Sequence, residues 1–376
     1  MESLEKKTLN NSKRIVIKVG SALIIGNNTN LINEKILGSI VSEIIKLKNQ
    51  GKEVLLVSSG ALALGKKSLK LKKENIKVSE KQAAAAVGQV LLINAWKKIF
   101  LKSKIQCGQI LLTHLDAEIR SSAINARNTI ESLLKLETIP IINENDTVAT
   151  KELRYGDNDQ LAARVAQITS SDLLILLSDV NGLYTSNPKK NKTAKLIKYI
   201  RKISKDIEKN SENTSSSIAV GGMTTKIKAA KIAMSAGCNM IITSGKKVMP
   251  ISSIIKNNTF TLFLTNTSPK TARKKWISSQ LEIKGKVMVD KGAENALIKG
   301  ASLLPAGVIS ISGSFQKGDI INIINKNRDI ICIGISAYPS NDIKIIAGYK
   351  SNEIENLLGY QSRDVIIHRD DMVIRK

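Results

Sequence analysis

The chain has 376 residues, of which 42% are hydrophobic and only 3% aromatic, so Ile, Leu and Val must fill the core of a globular rather than a disordered protein. This length exceeds a usual single domain of about 100 to 200 residues and predicts one large and one small folded unit. The formal net charge of +26 would attract polyanions. The lysines are scattered, however, and no aromatic residues interleave with them, which favours a compositional bias over a dedicated nucleic-acid surface.

Targeting and redox signals are the next features to consider. No run approaches the roughly 18 apolar residues that span a bilayer, and Met1 to Arg14 has no apolar signal core, so we expect a soluble cytoplasmic protein. Cys107, Cys238 and Cys332 are far apart and form no CxxC pair, which predicts neither a disulfide framework nor a zinc site.

From Arg14 to about Thr265, short apolar runs alternate with segments of helical period. This pattern predicts an α/β fold, a mostly parallel sheet sandwiched by helices. The predicted strands are Arg14–Val19, Glu53–Val57, Gln109–Leu112, Ile139–Ile142, Leu173–Leu177 and Met240–Thr243. The predicted helices between them include Glu34–Lys48, Glu80–Leu101, Asn125–Leu136, Gln160–Ile168 and Thr224–Ala236.

The composition changes after residue 267. Residues 268–280 carry Pro, Lys, Arg, Ser and Thr with little periodicity and are predicted to be a linker. Short β-like runs follow and predict a second, small, β-rich barrel-like unit over 281–376. The predicted strands there are Gly285–Val289, Val308–Ile311, Asp319–Ile324, Ile330–Ile335 and Val365–His368.

Two glycine turns follow successive predicted strands. Lys18 ends an apolar strand just before Gly20, and Ser58-Ser59-Gly60 follows the next strand where a helix should start. In parallel sheets the carboxyl ends of the strands face the ligand crevice, and helix starts bind anions. Taken singly, a lysine snorkelling from a strand end explains Lys18 as well as a ligand site does, and an ordinary serine cap explains Ser58-Ser59-Gly60 better. Two such turns at successive strand ends weaken the serine-cap explanation.

Polar loops follow the later strands. Asn143 to Asp146 and Gly156 to Asp159 bring carboxylates and amides together, more than turns need, and such groups suit an ammonium or hydrated Mg²⁺. Ser178-Asp179 ends the strand Leu173–Leu177. Val220-Gly221-Gly222-Met223-Thr224-Thr225-Lys226 then enters a helix, an order that offers N–H donors and one cation to a phosphate chain, although a Gly-Gly pair can also be a simple flexible loop.

Several enzyme classes are excluded by missing motifs. The sequence has no GxxxxGK[ST] and no protein-kinase HRD or DFG set, and its two histidines, His114 and His368, are too few for a His-rich metal site. A carboxylate acceptor with a pKa near 4.3 is already ionised at neutral pH, so a kinase acting on it needs no general base.

The motifs together resemble the amino-acid kinase family, within it the branch that phosphorylates glutamate, and the tail resembles a PUA domain. In order, the motifs are Ile17–Ser21, Ser58–Ala61, Ile142–Asp146, Gly156–Asp159, Leu177–Asp179 and Gly221–Lys226, with Asp290–Ala293, Ser302–Val308 and His368–Met372 in the tail. The resemblance covers nearly the whole chain from Lys13. It implies the amino-acid kinase fold over 13–267 and a PUA domain over 281–376.

Residue roles follow from this resemblance. It implies that Lys18 and Lys226 bind ATP phosphates and neutralise charge in the transition state, with Asp159 orienting both lysines. Ser178, Asp179 and the loop Val220, Gly221, Gly222, Met223, Thr224 and Thr225 would complete the ATP site, and Ser59, Asp146 and Asn158 would hold glutamate. Val220 stands where the family usually has Thr, which leaves a backbone contact there but no hydroxyl.

The implied reaction uses Mg·ATP and L-glutamate and gives L-glutamyl 5-phosphate, the entry step to proline. The resemblance also implies a homo-oligomer with feedback inhibition by proline. Two alternatives remain at this point: another member of the family acting on N-acetylglutamate, aspartate or UMP, and an RNA-binding PUA protein.

Overall fold

The computed structural model of the chain describes residues 2–26, 31–71, 77–148, 158–188, 190–212, 222–279, 282–360 and 363–375. They fall into two compact units. The first comprises Met1–Glu118 and Ala126–Pro269, and the second comprises Ile119–Asn125 and Lys270–Lys376. The predicted division into a large and a small unit therefore stands as our proposal, with its boundary between Pro269 and Lys270.

The first unit alternates helices and strands along the chain. Its helices are α1 (Leu4–Asn11), α2 (Ser21–Ile24), α3 (Glu34–Asn49), α4 (Ala61–Ser68), α5 (Val78–Leu101), α6 (His114–Glu118), α7 (Arg120–Lys135), α8 (Asn158–Ile168), α9 (Lys205–Glu212), α10 (Met223–Ser235) and α11 (Ser252–Asn257). Its strands are β1 (Arg14–Val19), β2 (Glu53–Ser58), β3 (Cys107–Leu112), β4 (Ile139–Glu144), β5 (Leu173–Ser178), β6 (Tyr199–Ile200), β7 (Asn239–Ser244) and β8 (Thr261–Phe263).

These strands form one sheet in the order β3-β4-β2-β1-β5-β7-β8-β6. All neighbouring pairs from β3 to β7 are parallel, and β7 pairs with β8 antiparallel. The chain fills the sheet on one side of β1 with β2, β3 and β4 before crossing to β5 on the other side. Strand β1 therefore lies at the point where the strand order reverses, which is where ligands bind in open α/β sheets.

Side chains alternate along β1 between two hydrophobic cores, one on each face of the sheet. Ile15, Ile17 and Val19 join the core that contains α3 and α5, whereas Val16 joins the core that contains α8 and α10. Both faces are covered, so the central strands read as continuous apolar runs, as expected for a parallel sheet. The predicted helix-sheet-helix architecture is confirmed.

Helices α4 and α5 touch through their backbones. A Cβ added at Gly65 would lie 1.7 Å from the carbonyl oxygen of Ala84, and one added at Gly88 would lie 1.8 Å from that of Ala61. Within the described ranges, α5 is also the one helix long and apolar enough to span a bilayer. It lies within the first unit with Trp96 and Phe100 fully buried, so it is a core helix.

The second unit is β-rich. Its helices are α12 (Pro269–Ser278), α13 (Lys291–Ile298), α14 (Ser340–Ile346) and α15 (Ile354–Leu358), and its strands are β9 (Gly285–Val289), β10 (Val308–Gly313), β11 (Ile320–Ile324), β12 (Ile330–Ile335) and β13 (Met372–Ile374). The strands form a mixed sheet in the order β10-β9-β11-β12-β13. Its core includes Val287, Ile321, Ile323 and Tyr338.

Two features of the second unit differ from the sequence-based predictions. Val365–His368 was predicted as a strand, but it forms only an isolated bridge between Ile367 and Leu303, and the last strand is Met372–Ile374. The predicted linker 268–280 holds a helix, α12, whose Ile277 is fully buried.

Candidate active site

The carboxyl ends of three neighbouring strands bring predicted site residues to one edge of the first unit's sheet. Lys18 on β1 is in register with Val57 on β2 and with Leu176 on β5. The backbone ladder continues past the strand ends, because Ser59 N donates to Val19 O at 3.0 Å and Gly20 N donates to Leu177 O at 3.1 Å. Lys18 near the end of β1, Ser178 at the end of β5 and Ser59 just after β2 therefore lie at the same edge.

Two buried ammonium groups share one buried carboxylate at this edge. Lys18 Nζ lies 2.6 Å from Asp159 Oδ1, and Lys226 Nζ lies 2.9 Å from Asp159 Oδ2. Lys18 is 4% exposed, Lys226 is 5% exposed and Asp159 is 0% exposed. Two ammonium groups around one carboxylate, in a region of low dielectric, form an arrangement that can attract an anion such as a phosphate.

The position of Asp159 on its helix stabilises its charge. Asp159 lies in the first turn of α8, where the unpaired N–H groups and the helix dipole favour an anion. Thr225 adds a long contact, since its Oγ1 lies 3.4 Å from Asp159 Oδ2. Asp159 thus contacts both lysines, and its orienting role stays a prediction.

A second polar cluster lies beside the first, on the preceding residue of α8. Asn158 Nδ2 donates to Asn143 Oδ1 at 2.7 Å, to Ser59 Oγ at 3.1 Å and to Ser58 O at 3.3 Å. Two of the three residues predicted to hold glutamate, Ser59 and Asn158, are therefore in direct contact. The turn before α4 brings Ser59 there, and Gly60 has φ +110°, a left-handed conformation that favours glycine.

The other predicted nucleotide residues lie on two elements. Ser178 ends β5 and its Oγ donates to Asp179 Oδ1 at 3.1 Å. Gly222 precedes α10, and Met223, Thr224, Thr225 and Lys226 form its first turn. The start of α10 offers backbone N–H groups to a phosphate next to a buried lysine. Val220 and Gly221 lie outside the described residues, as do Gly156 and Asp157.

Asp146 follows β4, is half-buried, and engages in interactions of its own. Its role toward a substrate stays a prediction.

Two residues of helix α5 that were not predicted, Gln89 and Trp96, support this site together with Asn143. Gln89 on α5 accepts from Asn143 Nδ2 at 2.7 Å, and Trp96 on the same helix donates from Nε1 to Ser58 Oγ at 2.8 Å. Asn143 was noted only as part of a polar run. A glutamine and a tryptophan in an alanine- and leucine-rich helix were the available signal, because buried polar groups need partners.

The lysine and amide groups of this site suit a nucleotide better than a metal ion bound by protein side chains alone. Across the described ranges, no group of three or more His, Cys, Asp or Glu side chains is placed to hold a metal ion. The carboxylate at the centre, Asp159, already binds two lysines. Mg²⁺ usually keeps several waters and enters such sites on substrate phosphates with one or two carboxylates.

A cavity of about 330 Å³ lies at the opposite, amino edge of the sheet. It is lined by α1 residues and by Asp172 and Asn239, which stand at the start of β5 and β7. None of the predicted site residues lines it. The charged cluster at the carboxyl edge is therefore the better candidate for chemistry.

A mostly parallel α/β sheet with buried lysines and a glycine-preceded helix start at its switch point defines an α/β protein with a candidate anion site at the carboxyl edge of its sheet. Comparison with known proteins agrees. The model of the amino acid kinase family matches residues 13–244, and that of the PUA domain matches residues 285–358. The chain belongs to the amino acid kinase family, and the family resemblance of its motifs is confirmed.

Individual relatives extend this likeness to the whole chain. A glutamate 5-kinase of Pelagibacter ubique (strain HTCC1062) is 50% identical over 97% of this chain and 99% of its own length. A glutamate 5-kinase of Bradyrhizobium diazoefficiens is 46% identical over 97% of this chain and 98% of its own length. Among solved structures, carbamate kinase from Giardia lamblia bound to AMP-PNP matches with a TM-score of 0.48 at 16% identity, over 68% of this chain and 100% of that one.

Proposed function

We propose that this chain is an ATP-dependent kinase that phosphorylates the side-chain carboxylate of L-glutamate. The reaction moves the terminal phosphoryl group of ATP onto that carboxylate and gives ADP and L-glutamyl 5-phosphate, the first step of proline biosynthesis. The observation that carries the proposal is the pair of buried lysines bound to Asp159 at 2.6 and 2.9 Å. The glutamate substrate is supported by relatives named glutamate 5-kinase that match nearly the full chain.

In this proposal the chain catalyses phosphoryl transfer by positioning the substrates and by neutralising negative charge on the phosphoryl group. Charge develops on the phosphoryl oxygens during transfer, and preorganised ammonium groups stabilise that charge without reorganising. Lys18 and Lys226 supply these groups, and Asp159 keeps them in place. The glutamate side chain is already ionised at neutral pH, so no residue has to remove a proton from it.

Nucleotide and glutamate take separate parts of the same edge. Ser178, Asp179 and the loop from Val220 to Lys226 are proposed to hold Mg·ATP, with Mg²⁺ arriving on the phosphates. Ser59, Asp146 and Asn158 are proposed to hold glutamate. The contact between Asn158 and Ser59 at 3.1 Å supports their grouping.

We also propose that the enzyme is cytoplasmic and homo-oligomeric and that proline inhibits it. These proposals are supported by the family resemblance. Weak RNA binding is a further proposal, supported by the PUA match over 285–358 and by the net charge of +26. Binding that rests on scattered lysines should collapse as salt rises and show no sequence preference.

A coupled ADP-release assay tests the main proposal. The full-length protein with Mg·ATP should release ADP with L-glutamate and far more slowly with N-acetylglutamate, aspartate or UMP. Preference for one of the other three acceptors would assign the chain to a different activity of the same family. Tight, sequence-selective RNA binding at physiological salt, with no ADP release in the presence of any of the four acceptors, would instead support the hypothesis of an RNA-binding PUA protein.

A further inference from the structure

A line of amide side chains runs from helix α5 to the proposed glutamate site. Gln89 Oε1 accepts from Asn143 Nδ2 at 2.7 Å, and Asn143 Oδ1 in turn accepts from Asn158 Nδ2 at 2.7 Å. Asn143 and Asn158 are 3% and 8% exposed. The three amides lie on α5, β4 and α8, so each element contributes one member of the line.

The direction of the line is set at both ends, because Ser58 O can only accept from Asn158 Nδ2 and Gln89 Oε1 accepts from Asn143 Nδ2. An Asn side chain has a donor end and an acceptor end of nearly equal shape, and only its partners decide which end points where. Because Gln89 presents its oxygen, Asn143 must point its NH₂ group toward α5 and its oxygen toward Asn158. The reverse orientation would set oxygen against oxygen at Gln89 and NH₂ against NH₂ at Asn158, and both clashes would be buried.

The amide of Asn158 is oriented in the same sense. Its NH₂ group donates to Asn143 Oδ1, Ser59 Oγ and Ser58 O. In the part of the chain that the structure describes, no group donates to Asn158 Oδ1. A carbonyl oxygen left over beside Ser59 is an acceptor suited to a cationic donor such as the substrate ammonium.

The helix that carries Gln89 is held firmly. The neighbouring Gly88 is in backbone contact with Ala61 on α4, where a Cβ would lie 1.8 Å from the carbonyl oxygen. Ala61 follows directly on the turn that holds Ser59. Gln89 on α5 and the turn that holds Ser59 just before α4 are therefore fixed to each other, and Gln89 cannot shift along α5 without breaking that contact.

We propose that Gln89 is a positioning residue for the glutamate site, which through Asn143 and together with Ser58 O holds the Asn158 amide in the orientation in which Asn158 Oδ1 receives the substrate ammonium. This inference rests on the proposed function. Gln89 itself contacts neither a reacting atom nor a phosphate-binding lysine in the described structure, so its effect should appear in glutamate binding and not in phosphoryl transfer.

The test compares two variants of Gln89 in the full-length enzyme. Gln89→Met keeps the length of the side chain and removes the amide oxygen, whereas Gln89→Glu keeps an acceptor oxygen for Asn143. We expect Gln89→Met to raise the KM for glutamate about fivefold to tenfold, as the loss of a neutral hydrogen bond predicts. The kcat and the KM for ATP of Gln89→Met should stay within about twofold of the wild-type values. Gln89→Glu should keep the KM for glutamate close to the wild-type value.

A double-mutant cycle distinguishes positioning from a general loss of packing. Since Gln89 acts through Asn143, Gln89→Met should change the glutamate KM less than about twofold when Asn143→Ala is already present. Equal effects in both backgrounds, or a matching rise in the KM for ATP, would overturn the proposal. So would a lowered Tm and kcat with an unchanged glutamate KM.

The same assays separate this inference from the function on which it rests. A wild-type enzyme that releases no ADP with glutamate would overturn the proposed function and this inference with it. A wild-type enzyme that is active with glutamate, together with a Gln89→Met variant of normal glutamate KM, would overturn the positioning role alone.

Discussion

Lys226 Nζ lies 2.9 Å from Asp159 Oδ2, although the two residues are 67 positions apart in the chain. The bond joins the first turn of α10 to the first turn of α8. Lysine at a helix start is opposed by the helix dipole, so Lys226 needs an anion nearby. Asp159 supplies that anion in the protein, and the phosphates of a bound nucleotide would add to it.

The two buried lysines should matter for the rate rather than for glutamate binding. Lys18→Ala and Lys226→Ala are each expected to lower kcat at least about 100-fold, because the charge they neutralise grows in the transition state. The KM for glutamate should change much less. Lys228→Ala is the matched control, since Lys228 is an exposed lysine of the same helix. A near-normal kcat in both lysine variants would remove them from the chemistry.

Asp159 should be needed for stability as well as for activity. Asp159→Asn leaves two buried ammonium groups without their carboxylate, and breaking a buried pair in this way costs about 3 to 5 kcal/mol. Urea unfolding should show this loss, and Mg·ATP should recover part of it by binding the native state. Asp179→Asn removes an exposed carboxylate of the same site and should cost far less. Equal stabilities for the two variants would contradict this account of Asp159.

Asp146 is expected to meet the ammonium of glutamate. Asp146→Asn keeps the shape and removes the charge, so the KM for glutamate should rise about tenfold or more while the KM for ATP changes little. Initial-rate measurements with each substrate varied in turn provide the comparison. A similar loss for both substrates would point to a folding or metal-binding role.

Alanine substitutions at Gly88, in the contact between α4 and α5, and at Gly38, which has open space, should change the stability in opposite directions. Gly88→Ala forces a Cβ to 1.8 Å from the carbonyl oxygen of Ala61 and should destabilise the protein by about 1 to 3 kcal/mol or more. Gly38→Ala, inside α3, meets nothing within 4 Å and should stabilise it by about 0.5 to 1 kcal/mol. Thermal unfolding of both variants tests the signs. An unchanged Tm for Gly88→Ala would mean that α4 and α5 separate easily.

Cys332 makes the stability sensitive to alkaline pH. Burial raises the pKa of its thiol from 9.0 to about 12, so the folded state holds this proton more tightly than the unfolded chain does. The resulting stabilisation is fully present below pH 9 and is lost as the pH rises toward 12. Cys332→Ala loses a fully buried sulfur and should be less stable at pH 7. Because the variant has no thiol to titrate, it should lose less stability between pH 9 and 12. If the free energy of unfolding in urea fell equally with pH for the wild type and for Cys332→Ala between pH 9 and 12, the prediction would be contradicted.

The central strands could be predicted from sequence because they are long, apolar and flanked by glycine turns. Arg14–Val19, Gly285–Val289 and Ile330–Ile335 match the observed strands at both ends. Tyr199–Ile200 and Thr261–Phe263 were missed because two or three residues carry no measurable period. Helix α12 was missed for a different reason, since its charged sequence buries Ile277 but shows no broad apolar face.

The site could be predicted in part. Family resemblance grouped Lys18, Asp159 and Lys226, and the structure brings these three together. The contribution of α5 could not be predicted, because Gln89 and Trp96 act through side chains of other elements. Sequence shows which strand ends share an edge, but it does not show which polar group on a covering helix reaches that edge.

The position of β1 between β2 and β5 also has a consequence for biosynthesis. A chain emerging from the ribosome exposes Arg14–Val19 first, yet β5 begins only at Leu173. Until then, one side of a largely apolar strand has unpaired backbone groups, and such edges recruit other chains. Asp159, the partner of Lys18, is also synthesised late. The growing polypeptide should therefore depend on chaperone protection until about its midpoint, and ribosome-bound fragments shorter than this should aggregate.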